Sequence, residues 1–316
     1  MSSIKKGSII EFLNVSKNYK DVQALRDTSF SIQQGDIFGY IGPNGAGKTT
    51  TLKILVGLIS DYSGVVKIKD QPVPSQDIGY LPQDVGFQEW RTVDHALVTF
   101  GRLSGMSKDE LKQRIPEVLE LVGLPEARKR KIKHLSGGMK QKLKLAQALL
   151  HNPSILILDE PMSGLDPTSR WQMKNIIRQL TKLDVTILFS SHILEDVEGL
   201  ATTIGIINQG VVVKIGKPKD LQQELVGGNA VIVIGENLVN YAEDITNLPF
   251  VSEVTYPPSD PSQLTIMFKS DIVLDEGLVQ LMGFFTKSKI VIRNFNYLKP
   301  SLEQVYLKYV TEEPTI

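Results

Sequence analysis

The chain has 316 residues, enough for about two domains of ordinary size. Hydrophobic residues make up 41% and charged residues 22%, which excludes a disordered chain and a collagen-like repeat. Basic and acidic residues number 35 each, so no net charge favours binding to nucleic acid. Cysteine is absent, which excludes disulfides, thiolate zinc sites and a cysteine nucleophile. The sequence shows neither a signal peptide nor a bilayer-spanning apolar run, and we expect a soluble chain.

Over residues 1–221, short apolar runs alternate with helical patterns, which predicts an α/β domain with a parallel sheet. The expected strands are Ile37 to Ile41, Ile78 to Leu81, Ile155 to Leu158 and Val185 to Phe189. Between the second and third of these runs only helical patterns occur, at Asp94 to Ser104 and Lys108 to Leu121. A helical insertion is therefore predicted at about residues 84–150.

A boundary near Gly216 to Asp220, with a softer one at 226–229, indicates a second domain over residues 222–316. Its predicted elements follow the order strand–helix–strand–strand–helix–strand, which is typical of a small α+β ferredoxin-like domain. They are Ala230 to Ile234, Leu238 to Leu248, Val251 to Tyr256, Leu264 to Lys269, Leu274 to Lys287 and Lys289 to Phe295, with a closing helix at Ser301 to Val310.

The segment Gly42 to Thr49 has the pattern G-x-x-x-x-G-K-T between a predicted strand and a predicted helix at Thr50 to Leu58. Gly42, Gly45 and Gly47 allow backbone N–H groups to converge on one anion, because no Cβ prevents a positive φ at these positions. Lys48 adds a positive charge near the β- and γ-phosphates, and the Thr49 hydroxyl can bind Mg²⁺. The alternative is an ordinary Gly-rich turn. The predicted nucleotide-binding residues here are Gly42, Pro43, Asn44, Gly45, Ala46, Gly47, Lys48, Thr49 and Thr50.

Two carboxylates, Asp159 and Glu160, end the strand Ile155 to Leu158, at the sheet edge where α/β proteins bind ligands. Asp159 can hold Mg²⁺, and Glu160 can polarise the attacking water as a general base. The simpler alternative is a strand that runs into an acidic turn.

His192 and Gln83 also follow predicted strands at this edge. His192 lies within reach of a γ-phosphate, and Gln83 can bind Mg²⁺ or water. An isolated histidine is more often an ordinary surface or core residue, so both interpretations stay open. The predicted catalytic residues are Lys48, Gln83, Glu160 and His192, and the predicted Mg²⁺ ligands are Thr49, Gln83 and Asp159.

A second anion-binding pattern is Leu135 to Gln141, LSGGMKQ. Ser136 is a good N-cap, and Gly137 and Gly138 leave the first N–H groups of the helix open to an anion. This second exposed helix start indicates a second phosphate contact, which one chain cannot easily bring to the same nucleotide as the first.

With these motifs, in the order GPNGAGKTT, Gln83, LSGGMKQ, ILILDEP, SGLD and His192, the sequence resembles the ATP-binding subunits of ABC transporters over about Ile9 to Leu221. The resemblance implies an Mg²⁺-dependent ATPase core and adenine stacking on Tyr19. It also implies a head-to-tail dimer, with itself or a similar subunit, in which Ser136 and Gly138 contact the partner's ATP and Asp166 lies at the interface. Met139 stands where the family commonly has glutamine, so the capping box with Ser136 is lost.

Residues 128–144 contain eight lysines and arginines and no acid. A solvated basic face is the simpler interpretation. The functional alternative is attraction to ATP phosphates or to an anionic membrane leaflet.

The segment Leu298 to Tyr306 is similar to the end of ATPases that drive ABC-2-type export permeases. The resemblance therefore implies a separately encoded membrane permease, export, and a peripheral position on the cytoplasmic face of the membrane. The alternative is an ABC-type ATPase in a nucleic-acid or regulatory role. The chain has one phosphate-binding loop, Gly42 to Thr49, which we call the P-loop, and one LSGGMKQ segment, Leu135 to Gln141, which we call the signature segment. With one copy of each and no net charge, we expect no nucleic-acid partner.

Overall fold

The computed structural model describes residues 7–69, 71–72, 77–84, 86–225, 230–257, 260–269, 271–297 and 301–311. The softer boundary expected at 226–229 and the first three residues of the segment 298–306 lie outside the described residues. Two compact units are formed, and we call them the large and the small unit. The large unit combines Met1–Pro218 with Tyr306–Ile316, and the small unit is Lys219–Val305.

The large unit contains two sheets. A six-stranded sheet has the order β10-β9-β3-β8-β7-β6, in which only the pair β9–β10 is antiparallel, and a four-stranded antiparallel sheet has the order β2-β1-β4-β5. The strands are β1 Ser8–Tyr19, β2 Val22–Gln33, β3 Ile37–Ile41, β4 Ser63–Ile68, β5 Gln71–Pro72, β6 Ile78–Leu81, β7 Ile155–Leu158, β8 Thr186–Ser191, β9 Thr203–Asn208 and β10 Val211–Gly216.

The core of the large unit lies between these two sheets. Every residue of β3 and β7 is buried, as expected of parallel strands covered on both faces. Phe30 links the sheets, with its ring centroid 4.9 Å from that of Phe12 and 5.6 Å from that of Phe38. These contacts join the two sheets in one hydrophobic core.

Helices cover the parallel sheet, and three of them form the predicted insertion between β6 and β7. The helices of this unit are α1 Lys48–Leu55, α2 Val93–Leu103, α3 Lys108–Leu121, α4 Gly137–Leu149, α5 Pro167–Thr181 and α6 Leu194–Val197. The next helix, α7 Pro218–Leu225, belongs to the small unit from Lys219 onward. Side-chain caps start the insertion helices, with Thr92 at α2, a Ser107–Glu110 capping box at α3 and Ser136 at α4. None of these helices, nor any other in the described part of the chain, is long and apolar enough to span a bilayer.

The small unit has an antiparallel sheet with the order β12-β13-β11-β14, which is the ferredoxin-like arrangement predicted from the sequence. Its strands and helices are β11 Ala230–Gly235, α8 Ala242–Thr246, β12 Val251–Thr255, β13 Gln263–Phe268, α9 Leu274–Lys287, β14 Ile292–Tyr297 and α10 Leu302–Thr311.

Two elements of the small unit begin more than one residue away from the predicted position. The helix expected from Leu238 begins as a 3-10 turn after Asn237, whose φ is 54°, and becomes α-helical only at Ala242. The last strand begins at Ile292 rather than Lys289, because Lys289 has a φ of 55° at the end of α9. A left-handed backbone conformation is incompatible with a regular strand.

The final turns of α10 belong to the large unit. The buried Asn208, at the end of β9, donates a 3.0 Å hydrogen bond from Nδ2 to the backbone carbonyl of Val310. Lys214 lies over the Tyr309 ring, 5.7 Å from its centroid. These contacts hold residues 306–311 against the last two strands of the parallel sheet.

Candidate functional site

The loop between β3 and α1 is shaped by its glycines for two different reasons. Gly45 and Gly47 have φ angles of 81° and 106°, which L side chains rarely adopt. Gly42 has no such φ. Glycine is required there because a side chain would not fit, since a Cβ would lie 2.3 Å from the carbonyl oxygen of Ile207. The expectation that all three glycines serve positive φ is therefore corrected for Gly42.

Lys48 begins α1 and lies inside this loop. Its Nζ donates hydrogen bonds to the carbonyl oxygens of Gly42, at 2.7 Å, and Pro43, at 3.0 Å. Burial lowers the pKa of Lys48, and the nearby charges of Glu160 and Asp159 partly oppose this shift. A desolvated cation thus faces the N-terminus of a helix, and both features favour an anion.

Asp159 follows β7 and is almost completely buried, at 1% exposure. The Thr49 hydroxyl donates a 3.3 Å hydrogen bond to its Oδ1, so a carboxylate and a hydroxyl from two elements meet here. These hard oxygen donors suit Mg²⁺, which commonly uses one or two carboxylates together with substrate phosphates. The described residues contain no cluster of three or more His, Asp or Glu placed to bind a metal, and a site of this kind does not require one.

Glu160 turns away from the strand direction, with a φ of 48°. Its Oε1 lies 2.9 Å from Nδ1 of His192, which comes directly after β8. The structure therefore brings the predicted base and the predicted histidine into hydrogen-bonding contact, each from the carboxyl end of a parallel strand.

A cavity of about 520 Å³ opens at this edge of the sheet. Residues of the loop from Asn44 to Thr50 line it together with Gln83, Glu160 and His192, and so do Val22 and Ala24 of β2. Of the predicted nucleotide-binding residues, Gly42, Pro43 and Ala46 shape the loop without lining the cavity. Tyr19 is 44% exposed and pairs in register with Val22, so it lies beside the cavity rim.

The signature segment lies at the start of α4. Ser136 Oγ accepts a 3.3 Å hydrogen bond from the Met139 backbone N–H, which is the N-cap predicted from the sequence. A Cβ on Gly138 would come within 2.4 Å of Ser169 Oγ on α5, whereas Gly137 faces open space. Ser136, Gly137 and Gly138 are not among the residues that line the 520 Å³ cavity.

Asp166 is the N-cap of α5. Its Oδ1 accepts from the Ser169 backbone N–H at 2.9 Å and its Oδ2 accepts from the Ser169 hydroxyl at 2.6 Å. These bonds from Ser169, the hydroxyl first, lower the pKa of Asp166. Since Ser169 also packs against Gly138, the signature segment and Asp166 form one continuous surface feature.

Three side chains near the site were not among the predicted residues. The Ser190 hydroxyl contacts both Asp159 and the backbone of Glu160, the Gln141 amide contacts Pro161, and Lys144 Nζ donates to the Gln83 carbonyl at 2.9 Å. The sequence pattern ended the last apolar strand at Phe189, but β8 extends to Ser191 and thereby includes Ser190.

The basic run at 128–144 makes several contacts within the chain. Besides Lys144, Arg128 pairs with Asp94 and Lys140 pairs with Glu89, each at 2.6 Å. These acidic partners neutralise part of the positive charge of the run, and the contacts hold the insertion helices together.

Comparison with known proteins gives consistent matches. The ABC transporter family model matches residues 25–163. An uncharacterised ABC transporter ATP-binding protein, YxlF of Bacillus subtilis (strain 168), is 38% identical over 298 residues, covering 94% of this chain and 98% of that protein. The linearmycin resistance ATP-binding protein LnrL of the same organism is 35% identical, covering 93% and 96%. A Nod factor export ATP-binding protein I of Burkholderia lata is 34% identical, covering 82% and 89%.

Solved structures agree. An ATP-binding subunit of an ABC transporter superposes with a TM-score of 0.62 at 28% identity, covering 69% of this chain and 93% of that one. The cbiO1 subunit from Clostridium perfringens, part of the ABC transporter complex cbiONQ, gives 0.63 at 25% identity, covering 70% and 94%. The α/β architecture with a P-loop is confirmed. The chain therefore belongs to the ATP-binding subunits of ABC transporters, and it is an ATP hydrolase of that family.

Proposed function

We propose that two copies of this chain, or one copy and a similar subunit, pair head to tail around ATP and power a separate membrane permease in export. The observation that carries the proposal is the arrangement of the anion-binding helix starts. The start of α1 faces the cavity that holds Lys48, Glu160 and His192, whereas the start of α4 at Ser136 to Gly138 does not line that cavity. A second chain is needed to bring such a segment to the same nucleotide.

Within one site, each residue has a defined role. Lys48 and the N–H groups of the loop bind the phosphates, Tyr19 stacks on the base, and the Thr49 hydroxyl and Asp159 carboxylate hold Mg²⁺, with Gln83 at the same edge. When bound, Mg²⁺ neutralises phosphate charge that develops during transfer of the γ-phosphoryl group. Phosphoryl transfer needs mainly positioning and charge stabilisation, and these side chains supply both.

Glu160 orients the attacking water and accepts its proton, and His192 holds the carboxylate in place. The contact between His192 Nδ1 and Glu160 Oε1, at 2.9 Å, supports this division of roles. The partner chain contributes Ser136 and Gly138 to the γ-phosphate, and Asp166 lies at the interface.

The printed names of the relatives support the export role. Two of them are a linearmycin resistance and a Nod factor export ATP-binding protein, and this chain covers at least 89% of each. In this export role the chain acts through the separate permease. We propose that it binds this permease at the cytoplasmic face.

The test is the solution mass of the Glu160→Gln variant, measured by light scattering with Mg²⁺ and with or without ATP. We expect the mass to double with ATP, because the bound nucleotide is no longer hydrolysed and bridges two chains. Lys48→Ala should stay monomeric under both conditions. A monomeric Glu160→Gln protein with ATP would contradict the dimer, and wild-type hydrolysis by this variant would contradict the role of Glu160 as base.

The permease is tested separately. Tagged Glu160→Gln protein, expressed in its native host, should co-purify with a polytopic membrane protein from detergent-solubilised membranes in the presence of ATP. Recovery of soluble proteins only would contradict the transport role.

A further inference from the structure

We propose that Ser190 is a positioning residue that couples the metal-binding carboxylate of Asp159 to the backbone of the catalytic base Glu160. This inference rests on the proposed function and adds a residue to it. The Ser190 hydroxyl Oγ lies 2.7 Å from Asp159 Oδ1 and 2.9 Å from the backbone N of Glu160. No other described side chain contacts these two neighbours of the site at once in the hydrogen bonds that the structure records.

The direction of both hydrogen bonds is fixed by chemistry. An ionised carboxylate can only accept and a backbone N–H can only donate, whereas a hydroxyl has one proton to donate and two lone pairs. The hydroxyl of Ser190 therefore donates to Asp159 and accepts from Glu160. The two bonds cannot form independently of the rotamer of Ser190, so this one side chain links the positions of both acidic residues.

The first bond orients the Asp159 carboxylate. Its Oδ1 receives both recorded hydrogen bonds, from Ser190 at 2.7 Å and from Thr49 at 3.3 Å. The bond from Ser190 is the shorter, and Asp159 is only 1% exposed, so water cannot readily replace it. Removal of Ser190 Oγ would free this carboxylate to rotate about its Cβ–Cγ bond, which misplaces an oxygen that Mg²⁺ needs at a defined position.

The second bond holds the backbone of Glu160 where a non-glycine residue is strained. Glu160 has a φ of 48°, which costs free energy unless surrounding contacts enforce it. The hydrogen bond from its N–H to Ser190 is one of those contacts. This backbone conformation directs the Glu160 side chain to His192 and the cavity, and its loss would misdirect the base.

The strand pairing explains why a serine is needed at this place. Leu158 of β7 is opposite Phe189 of β8 in the parallel register, so the next residues, Asp159 and Ser190, lie side by side. Ser190 is completely buried. A buried hydroxyl without partners would be unfavourable, whereas here both sides of the hydroxyl are satisfied by the two acidic residues.

The test compares Ser190→Ala with Thr186→Val in the full-length protein. Thr186 lies on the same strand and is also completely buried, and its hydroxyl accepts a 2.9 Å hydrogen bond from the Gly35 N–H at the end of β8 away from the site. Both variants delete a buried hydroxyl that is bonded to a backbone amide. Only the loss at Ser190 should affect catalysis, so Thr186→Val controls for a general loss of stability.

Two readouts are measured: steady-state ATPase activity, separated into kcat and KM, and the affinity for a fluorescent ATP analogue with Mg²⁺ and with EDTA. For Ser190→Ala we expect kcat to fall about 10–100-fold and the Mg²⁺-dependent gain in affinity to fall by a similar factor, with affinity in EDTA unchanged. Thr186→Val should keep the wild-type kcat and the wild-type Mg²⁺ effect. Ser190→Thr, which restores the hydroxyl, should recover part of both losses.

The role of Ser190 is overturned if Ser190→Ala retains the wild-type kcat and the wild-type Mg²⁺ effect, or if Thr186→Val loses as much as Ser190→Ala. Failure of the proposed function gives a different result. In that case the wild-type protein would neither hydrolyse ATP nor bind the analogue more tightly with Mg²⁺, and Lys48→Ala would bind it like the wild type.

Discussion

The side-chain amide of Gln141 donates a 2.9 Å hydrogen bond from Nε2 to the backbone carbonyl of Pro161. Gln141 lies on α4 as the last residue of the segment Leu135 to Gln141, and Pro161 immediately follows Glu160, the proposed base. Gln141 is 8% exposed, so water has little access to this bond. The helix that we propose to contact the partner's ATP is therefore bonded directly to the segment that carries Glu160.

Gln141→Leu should lower turnover more than it lowers ATP affinity. The leucine has similar volume but cannot satisfy the Pro161 carbonyl, and an unsatisfied buried polar group costs about 1–3 kcal/mol of stability. Gln147→Leu, the same change at a half-buried position of the same helix, is the matched control. ATPase assays and urea unfolding of both variants measure the effect. Equal kcat values for both would contradict a role of the Gln141 bond in placing Glu160.

Lys48→Met should remove the effect of nucleotide without destabilising the nucleotide-free protein. Burial lowers the pKa of Lys48, which means that the folded state disfavours its charge, and methionine removes that charge while keeping the length. We expect an unchanged or raised Tm without ATP, no rise in Tm on adding Mg²⁺ and ATP, and a kcat lower by about 10²–10³-fold or more. Differential scanning fluorimetry with and without nucleotide measures the first two. A Tm well below that of the wild type without nucleotide would contradict the prediction.

Asp77→Asn should change how stability depends on pH. Burial alone would raise the pKa of Asp77, but hydrogen bonds from Lys69 and from the hydroxyl and backbone N–H of Ser154 together lower it. A carboxyl with a lowered folded-state pKa adds stability above its unfolded pKa, and this contribution is lost as pH falls through the folded value. The wild type should therefore be more stable than the variant at pH 7, and the difference should shrink below about pH 4.

Urea unfolding at several pH values measures this difference. Asp21→Asn, at an exposed position between β1 and β2, is the control and should show a smaller difference at neutral pH. If the difference in unfolding free energy between wild type and Asp77→Asn grows as the pH falls, this explanation is wrong.

Asp196 should tolerate asparagine better than leucine. It is 2% exposed, and its Oδ1 lies 3.5 Å from both Arg170 Nε and Lys174 Nζ of α5. Burial raises the pKa of Asp196 despite these two cations, so ionisation is only partly compensated. Asp196→Leu leaves both cations without a counter-ion and should cost about 3 kcal/mol, whereas Asp196→Asn keeps the shape and a polar acceptor and should cost less. Equal unfolding midpoints in urea for the two variants would refute this ranking.

Local chemistry explains which site residues the sequence could predict. The residues of the loop 42–49 are contiguous, and so are Asp159 and Glu160. Their residue types at that spacing have few other uses, so the phosphate-binding loop and the two carboxylates after β7 were predicted. Ser190 and Gln141 could not be identified in this way, because a serine at a strand end and a glutamine on a helix are common. Their roles depend on the register between β7 and β8 and on the packing of α4 against the turn after Glu160.

The same distinction, between patterns local in sequence and contacts between distant residues, explains which parts of the fold were predicted. Apolar runs predicted the parallel strands and the ferredoxin-like order of the small unit, since both depend on periodicity along the chain. The missed boundaries at Asn237 and Lys289 depend on single left-handed backbone angles, which Asn adopts fairly readily but which nothing near Lys289 signals. The requirement for glycine at position 42 also depends on a contact with a distant residue, because the atom that excludes a Cβ belongs to Ile207 of β9.

The return of residues 306–311 to the large unit makes the small unit an internal segment rather than a tail. The chain enters it after Pro218 and leaves it before Tyr306, so the small unit is tethered at two points. A stop codon after residue 221 would thus do more than remove the small unit. It would also remove the Val310 carbonyl, which is the hydrogen-bond acceptor of the Asn208 side chain, and Asn208 is buried at 4% exposure. An excision that joins residue 218 to residue 306 through a short linker would keep this hydrogen bond, and it is the deletion that isolates the contribution of the small unit.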